Sequence, residues 1–205
     1  MNVAADVARV RANYARTRDE VGPGVTVVVA TKYATLDEMA LLARAGVEVV
    51  GENRLQDLVA KRDRHADAFR WHFIGHLQSR KAKEVSSLCE LCHSLASSSA
   101  ARRLTIPALV EVNLSGEDSK SGVQIGELPA FLGEVRELGV DVRGLMTMPP
   151  LADDPERSRP FFRQLRELAG EHGLSELSMG TSQDYRVAAE EGATLVRVGS
   201  VIFGR

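Results

Sequence analysis

The 205-residue sequence has no apolar run long enough to span a bilayer. Its first twenty residues, MNVAADVARVRANYARTRDE, carry charges throughout and hold no apolar core of the signal-peptide kind. It also lacks an excess of basic charge. Lys and Arg number 26 against 28 Asp and Glu, a net charge of −2, so no positive field marks a nucleic-acid or anionic-membrane partner. These absences predict a cytoplasmic protein with neither kind of partner. Cysteine is scarce, with only Cys89 and Cys92, in CELCH. C-x-x-C-H is the spacing of c-type haem attachment, but that chemistry needs an export route. A zinc site would want further ligands, and no second C-x-x-C exists. The stretch therefore reads as a core strand with two small apolar thiols. No Gly/Ser linker, low-complexity tract or strong repeat divides the chain, so residues 1–205 are read as a single domain.

What is present is a strict alternation. Eight apolar segments read as strands: 26–30, 47–50 (VEVV), 71–75 (WHFIG), 89–95 (CELCHSL), 107–114 (PALVEVNL), 142–148 (VRGLMTM), 175–179 (SELSM) and 194–199 (TLVRVG). Helical patterns fill the gaps between them. Residues 3–20 form an amphipathic helix ended by GPG. Thr35 and Glu38 have capping-box spacing, and Gly46 stops the helix they open. Pro129 suits a first helical turn, and Pro160 predicts a kink or a restart. Strand–helix alternation means parallel strands with helical crossovers, and eight units predict an α/β fold of the (β/α)8 TIM-barrel type. An open doubly wound sheet is the alternative. Against it, the first strand–helix turn, ATKYAT, is not a glycine-rich dinucleotide loop.

In such barrels the chemistry sits at the C-terminal ends of the strands. Those ends carry Lys32, Asn53, His72, His76, Asn113, Met146, Ser178, Ser182 and Arg197, then Gly199 and Ser200. Loops after the last two strands often hold phosphate. Ser182 precedes a helix, where as N-cap it would leave the amides of Gln183 and Asp184 open to an anion. Gly199 would let the backbone approach closely. Lys32 ends an apolar strand, and a partly desolvated amine there is a nucleophile toward aldehydes. An amine and an anion cradle in one mouth specify a phosphorylated aldehyde, of which pyridoxal 5′-phosphate (PLP) is the obvious example. His72 is a candidate donor in the pocket.

The blocks ATKYA, GENRLQD, WHFIGHLQSRK, EVNLSGEDSKSG, RGLMTMPP and LSMGTSQDYRVAAEEGATLVRVGSVIFG run in order along the whole chain. They resemble the YggS/PROSC family of PLP-homeostasis proteins. That resemblance implies a monomeric barrel like the N-terminal domain of alanine racemase, with PLP as a Schiff base on Lys32. It implies phosphate contacts at Ser182 and the backbone of Gly199 and Ser200, Arg197 at the pyridine nitrogen, and Asn53 and Met146 lining the ring pocket. It further implies buffering or delivery of PLP, to apo PLP-dependent enzymes among others, with no firm enzymatic activity. Where many members have IGPLQ, or threonine after R-x-G, this chain has His76 and Ser200.

Arg197 argues for little catalysis. A guanidinium can only donate, so it would keep a pyridine nitrogen unprotonated and weaken the ring as an electron sink. The rival reading is a PLP-dependent amino-acid racemase, which needs an acid/base on each face of its substrate. Tyr33 adjoins Lys32, but successive strand residues point to opposite faces, and the chain ends soon after its eighth strand. The polar loop SGEDSKSG is expected to be mobile, and Lys120 within it is a candidate to touch the phosphate or receive the aldehyde.

Overall fold

The computed structural model describes residues 3–117 and 121–204, so Lys120 lies outside the described residues. Eight parallel strands close into a barrel: β1 (Thr26–Ala30), β2 (Val49–Glu52), β3 (Arg70–Phe73), β4 (Leu91–Leu95), β5 (Ala108–Asn113), β6 (Val142–Met146), β7 (Glu176–Ser178) and β8 (Leu195–Val198). Each pairs with the next, and β8 returns to β1 with Val28 opposite Arg197 and Val29 opposite Val198. A two-residue segment, Val123–Gln124, pairs beside the end of β5. The expected barrel is therefore the observed one, with some strand ends displaced by one or two residues.

Local chemistry explains the elements. In β1, Val27, Val28 and Val29 are all buried, as a strand covered on both faces requires. Helix α1 (Val3–Val21) buries Val7, Val10, Tyr14 and Val21. In α2 (Leu36–Ala45) the capping box forms. Thr35 Oγ1 accepts from Glu38 N at 3.2 Å, and Glu38 Oε2 accepts from Thr35 N at 2.8 Å. Gly46, at φ 85°, ends that helix in the left-handed region. The restart expected at Pro160 is also present. A 3₁₀ turn, Pro155–Ser158, precedes the helix Arg159–Glu171, and Pro160 sits in that helix's first turn.

Two layers of apolar packing follow from strand alternation. Outward-facing residues pack against the helices in one large cluster that includes Trp71, Phe73, Val110 and Val196. Inward-facing Val28, Val49, Leu91, Leu109, Met146 and Leu195 form a second cluster inside the barrel. Cys89 and Cys92 are buried free thiols, which burial pushes up to about 12 and about 11. Among the described residues no group of three or more His, Cys, Asp or Glu side chains is placed to hold a metal ion, and no helix is long and apolar enough to cross a membrane.

Candidate functional site

Closure of the barrel makes the first and last strands neighbours. Because Val29 pairs with Val198, the segments that follow, Thr31–Lys32 and Gly199–Ser200, emerge side by side at one rim. They open onto a cavity of about 520 Å³, lined by Lys32, Tyr33, Asn53, Ile74, Met148, Thr181, Ser182, Gln183, Arg197, Gly199, Ser200 and Phe203, among others. Six of the eight site residues expected from sequence meet here. The lysine and the turn at 199–200 follow neighbouring strands.

His72 and Met146 are not among the lining residues, and the strand pleat explains why. His72 sits opposite Gly51, and Met146 opposite Glu111 and Ser178. Both therefore belong to a layer deeper in the barrel. The cavity-lining residues that follow them lie two positions further on, at Ile74 and Met148, just past the strand ends. His76 is exposed and does not line the cavity.

Lys32 also departs from expectation. It is exposed rather than desolvated, and its Nζ lies 4.7 Å from the centre of the Tyr33 ring, within cation–π range. Strand β1 ends at Ala30, so Lys32 and Tyr33 stand in the following turn, where the alternation argument no longer applies. Tyr33 is 75 % exposed and shares the cavity rim with Lys32.

The turn at 181–184 is built differently from the simple Ser182 N-cap that the sequence suggests. Thr181 N and Oγ1 both donate to Asp184 Oδ1, at 2.7 and 3.0 Å. Ser182 Oγ accepts instead from Gly199 N at 3.0 Å, tying the two loops together. That bond leaves the Ser182 hydroxyl proton to donate. The amides of Ser200 and Val201 precede the first internal bond of the last helical turn, Ile202 N to Gly199 O at 2.9 Å, so they too are open donors. A Cβ on Gly199 would meet the Ala30 carbonyl oxygen at 3.3 Å. Glycine there lets β8 pass closely over the end of the strand that presents Lys32.

Arg197 forms the floor. It is 6 % exposed, and burial lowers its guanidinium to about 10, so it stays a cation at neutral pH. Nη1 donates to Ser178 O at 2.8 Å and to Ser178 Oγ. Nη2 donates to Thr147 O at 2.9 Å and meets Met148 Sδ at 2.9 Å. Among the described residues none accepts from Arg197 Nε–H. Asn53 lines the same cavity, and its Oδ1 is a buried acceptor that lacks a partner. Unpaired buried polar atoms are rare in native proteins, and one facing a cavity marks a place for a ligand. A lysine, a charged floor, two orphan polar groups and a hydroxyl-plus-amide cradle fit a small aldehyde that carries an anion.

Two supports were missed in the sequence. Glu52 and Lys61 form a buried ion pair at 2.5 Å, with side chains 0 % and 8 % exposed. Glu52 also accepts from Thr31 Oγ1 at 3.0 Å and from Asn53 N at 2.8 Å, and Lys61 Nζ donates to Thr31 O at 2.6 Å. The pair thus fixes the backbone on either side of the cavity, immediately before Lys32 and at Asn53. Nothing local in the sequence signals it, because the partners lie nine residues apart on a strand and a helix. The second support is Gly75. A Cβ there would lie 2.1 Å from Asn53 O and 2.6 Å from Asn53 Cα. Gly75→Ala is therefore expected to lower stability by about 2–3 kcal/mol through overpacking, measured by urea denaturation. An unchanged midpoint would contradict the close approach.

The closed barrel of eight parallel strands defines a class, that of the alanine racemase N-terminal domain. Residues 5–205 match the family model described as alanine racemase, N-terminal domain. Alanine racemase of Corynebacterium glutamicum shares the fold alone, with a TM-score of 0.77 at 16 % identity, over 98 % of this chain and 61 % of that one. Within the class, the chain belongs to the family of pyridoxal phosphate homeostasis proteins. It is 40 % identical to the pyridoxal phosphate homeostasis protein of Deinococcus radiodurans, over 99 % of this chain and 100 % of that one. It is 37 % identical to that of Aquifex aeolicus, over 100 % and 98 %. PipY of Synechococcus elongatus, solved with PLP bound, superposes with a TM-score of 0.86 at 31 % identity, over 95 % of this chain and all of that one.

Proposed function

We propose that this protein binds PLP in the rim cavity, held as a Schiff base on Lys32, and serves PLP homeostasis by buffering and delivery with little or no catalysis. The observation that carries this reading is the shared cavity of Lys32, the Arg197 floor and the Ser182–Ser200 turn. PLP supplies an electrophilic aldehyde carbon, an anionic phosphate and a ring nitrogen with a lone pair. Each meets a suitable group of this chain. The Lys32 amine is the nucleophile, its attack joining nitrogen to the aldehyde carbon with loss of water. The Ser182 hydroxyl and the amides of Ser200 and Val201 are phosphate donors. Arg197 Nε–H is the donor for the ring nitrogen, and Asn53 lines the ring's edge. A cation that cannot give up its proton keeps that nitrogen unprotonated, which disfavours carbanion chemistry. Lys32 and Tyr33 rise from one turn on one side of the cavity, and that disfavours racemisation, which needs opposed groups.

On this reading residues 1–205 act as one PLP-binding unit, a cytoplasmic monomer whose partners are PLP and apo PLP-dependent enzymes. The wild-type protein loaded with PLP is expected to absorb visible light, and Lys32→Ala to lose that band entirely. Deuterium entry at the α-carbon of L-alanine should stay near background for both. A band unchanged in Lys32→Ala would sink the covalent assignment, and rapid deuterium entry in the wild type would restore the racemase.

A further inference from the structure

A line of hydrogen-bonded polar side chains runs through the apolar residues of the barrel interior. Among Val28, Val49, Leu91, Leu109, Met146 and Leu195 sit Ser178, His93 and His72, which are 0 %, 0 % and 3 % exposed. They form a chain. Arg197 Nη1 donates to Ser178 Oγ, Ser178 Oγ lies 2.8 Å from His93 Nδ1, and His93 Nε2 lies 3.0 Å from His72 Nδ1. Two imidazoles buried among leucines and valines are costly to desolvate unless their hydrogen bonds are made.

The chain can run in only one direction. A guanidinium has donors and no acceptor, so Ser178 Oγ must accept from Arg197. Among the described residues His93 Nδ1 is the one acceptor within reach of the Ser178 hydroxyl proton, so the proton goes there and Nδ1 is unprotonated. His93 carries its proton on Nε2 and donates it to His72 Nδ1. His72 is therefore protonated on Nε2, the buried atom left without a partner. A neutral group left unpaired in this way costs about 1–3 kcal/mol, which is hard to explain as mere filling. Every dipole in the line turns its negative end toward Arg197. The nearest carboxylates acting on that cation, Glu111 and Asp184, do so through space and without a hydrogen bond.

We infer that His93 is a positioning residue for Arg197: with Ser178 and His72 it forms a one-way chain of neutral hydrogen bonds that holds the guanidinium from below and leaves its Nε–H turned to the cavity. The direction of the chain stands without any coenzyme. Its consequence for binding rests on the reading above that the cavity takes PLP.

Two measurements test it separately. Nitrogen-15 NMR of the coenzyme-free wild type is expected to show His93 and His72 both neutral at pH 7, each with its proton on Nε2. A proton on Nδ1 of either ring, or a cationic ring, would overturn the chain. PLP titration followed by absorbance is expected to show His93→Phe weakened about tenfold, as for one lost hydrogen bond to a charged group's support. His93→Gln, whose amide oxygen can still accept from Ser178, should stay within about threefold of wild type. Ser178→Ala removes one atom, leaves little cavity and should match His93→Phe. Wild-type affinity in both His93→Phe and Ser178→Ala would overturn the positioning role, as would failure of His93→Gln to rescue. If the wild type binds no PLP, the functional reading fails, and the NMR result alone decides the chain.

Discussion

Lys61→Met is expected to lower the unfolding free energy by about 3–5 kcal/mol, the usual cost of leaving one member of a buried ion pair without its partner. Glu52 would lose its one charged partner in a site where nothing of its side chain reaches solvent. The remaining donors, Thr31 Oγ1 and Asn53 N, are neutral. For a chain of 205 residues the melting temperature should fall by roughly 6–20 °C. The double change Glu52→Gln, Lys61→Met removes both charges and keeps a carbonyl oxygen for Asn53 N. Thr31 Oγ1, which also donates to Gly51 O at 3.2 Å, can accept from the new amide, so the double change should recover most of the loss. Chemical denaturation of the three proteins checks this. A single variant within 1 kcal/mol of wild type would mean that the pair does not organise the rim. Because Glu52 and Lys61 grip the backbone at Thr31 and Asn53, the single variant should also bind PLP more weakly than the double one.

Acid should destabilise the folded state through the barrel histidines. Burial lowers His72 from its ordinary value of 6.5 to about 4, and nearby Arg70 pushes in the same direction, opposed by Glu90. His93 is lowered as well, by burial first and then by His72 and Arg197. Between about pH 6.5 and 4 the unfolded chain takes up a proton at His72 that the folded chain refuses. Stability therefore falls as pH drops through that window, by about 3 kcal/mol for His72 alone, and this group contributes no further loss below it. Above pH 6.5 both states are neutral there and the contribution is complete. His72→Gln should reduce the dependence of unfolding free energy on pH by about one proton across the window. An identical slope in the variant would show that His72 is not held neutral.

Much of this was legible in the residues, and the failures have a common cause. The strand–helix alternation, the capping box at Thr35 and the restart at Pro160 are local patterns, and local patterns survive folding. Lys32, Asn53, Ser182, Arg197, Gly199 and Ser200 could be gathered because a barrel collects strand ends at one rim. His72 and Met146 were placed one layer too high because the end of a strand is its least certain residue, and an error of two positions moves a side chain from floor to rim. The same uncertainty misjudged Tyr33. Strand alternation was applied to a residue that stands beyond Ala30, in a turn. The Glu52–Lys61 pair and the Ser178–His93–His72 line join residues distant in sequence, and only the closed barrel brings their partners within reach.

The most direct test of the central claim is to load the protein with PLP, reduce with borohydride, digest it and locate the modified lysine by mass spectrometry. The label is expected on Lys32, with none on the corresponding peptide of Lys32→Ala. Stoichiometric label on another lysine, with Lys32 unmodified, would contradict it.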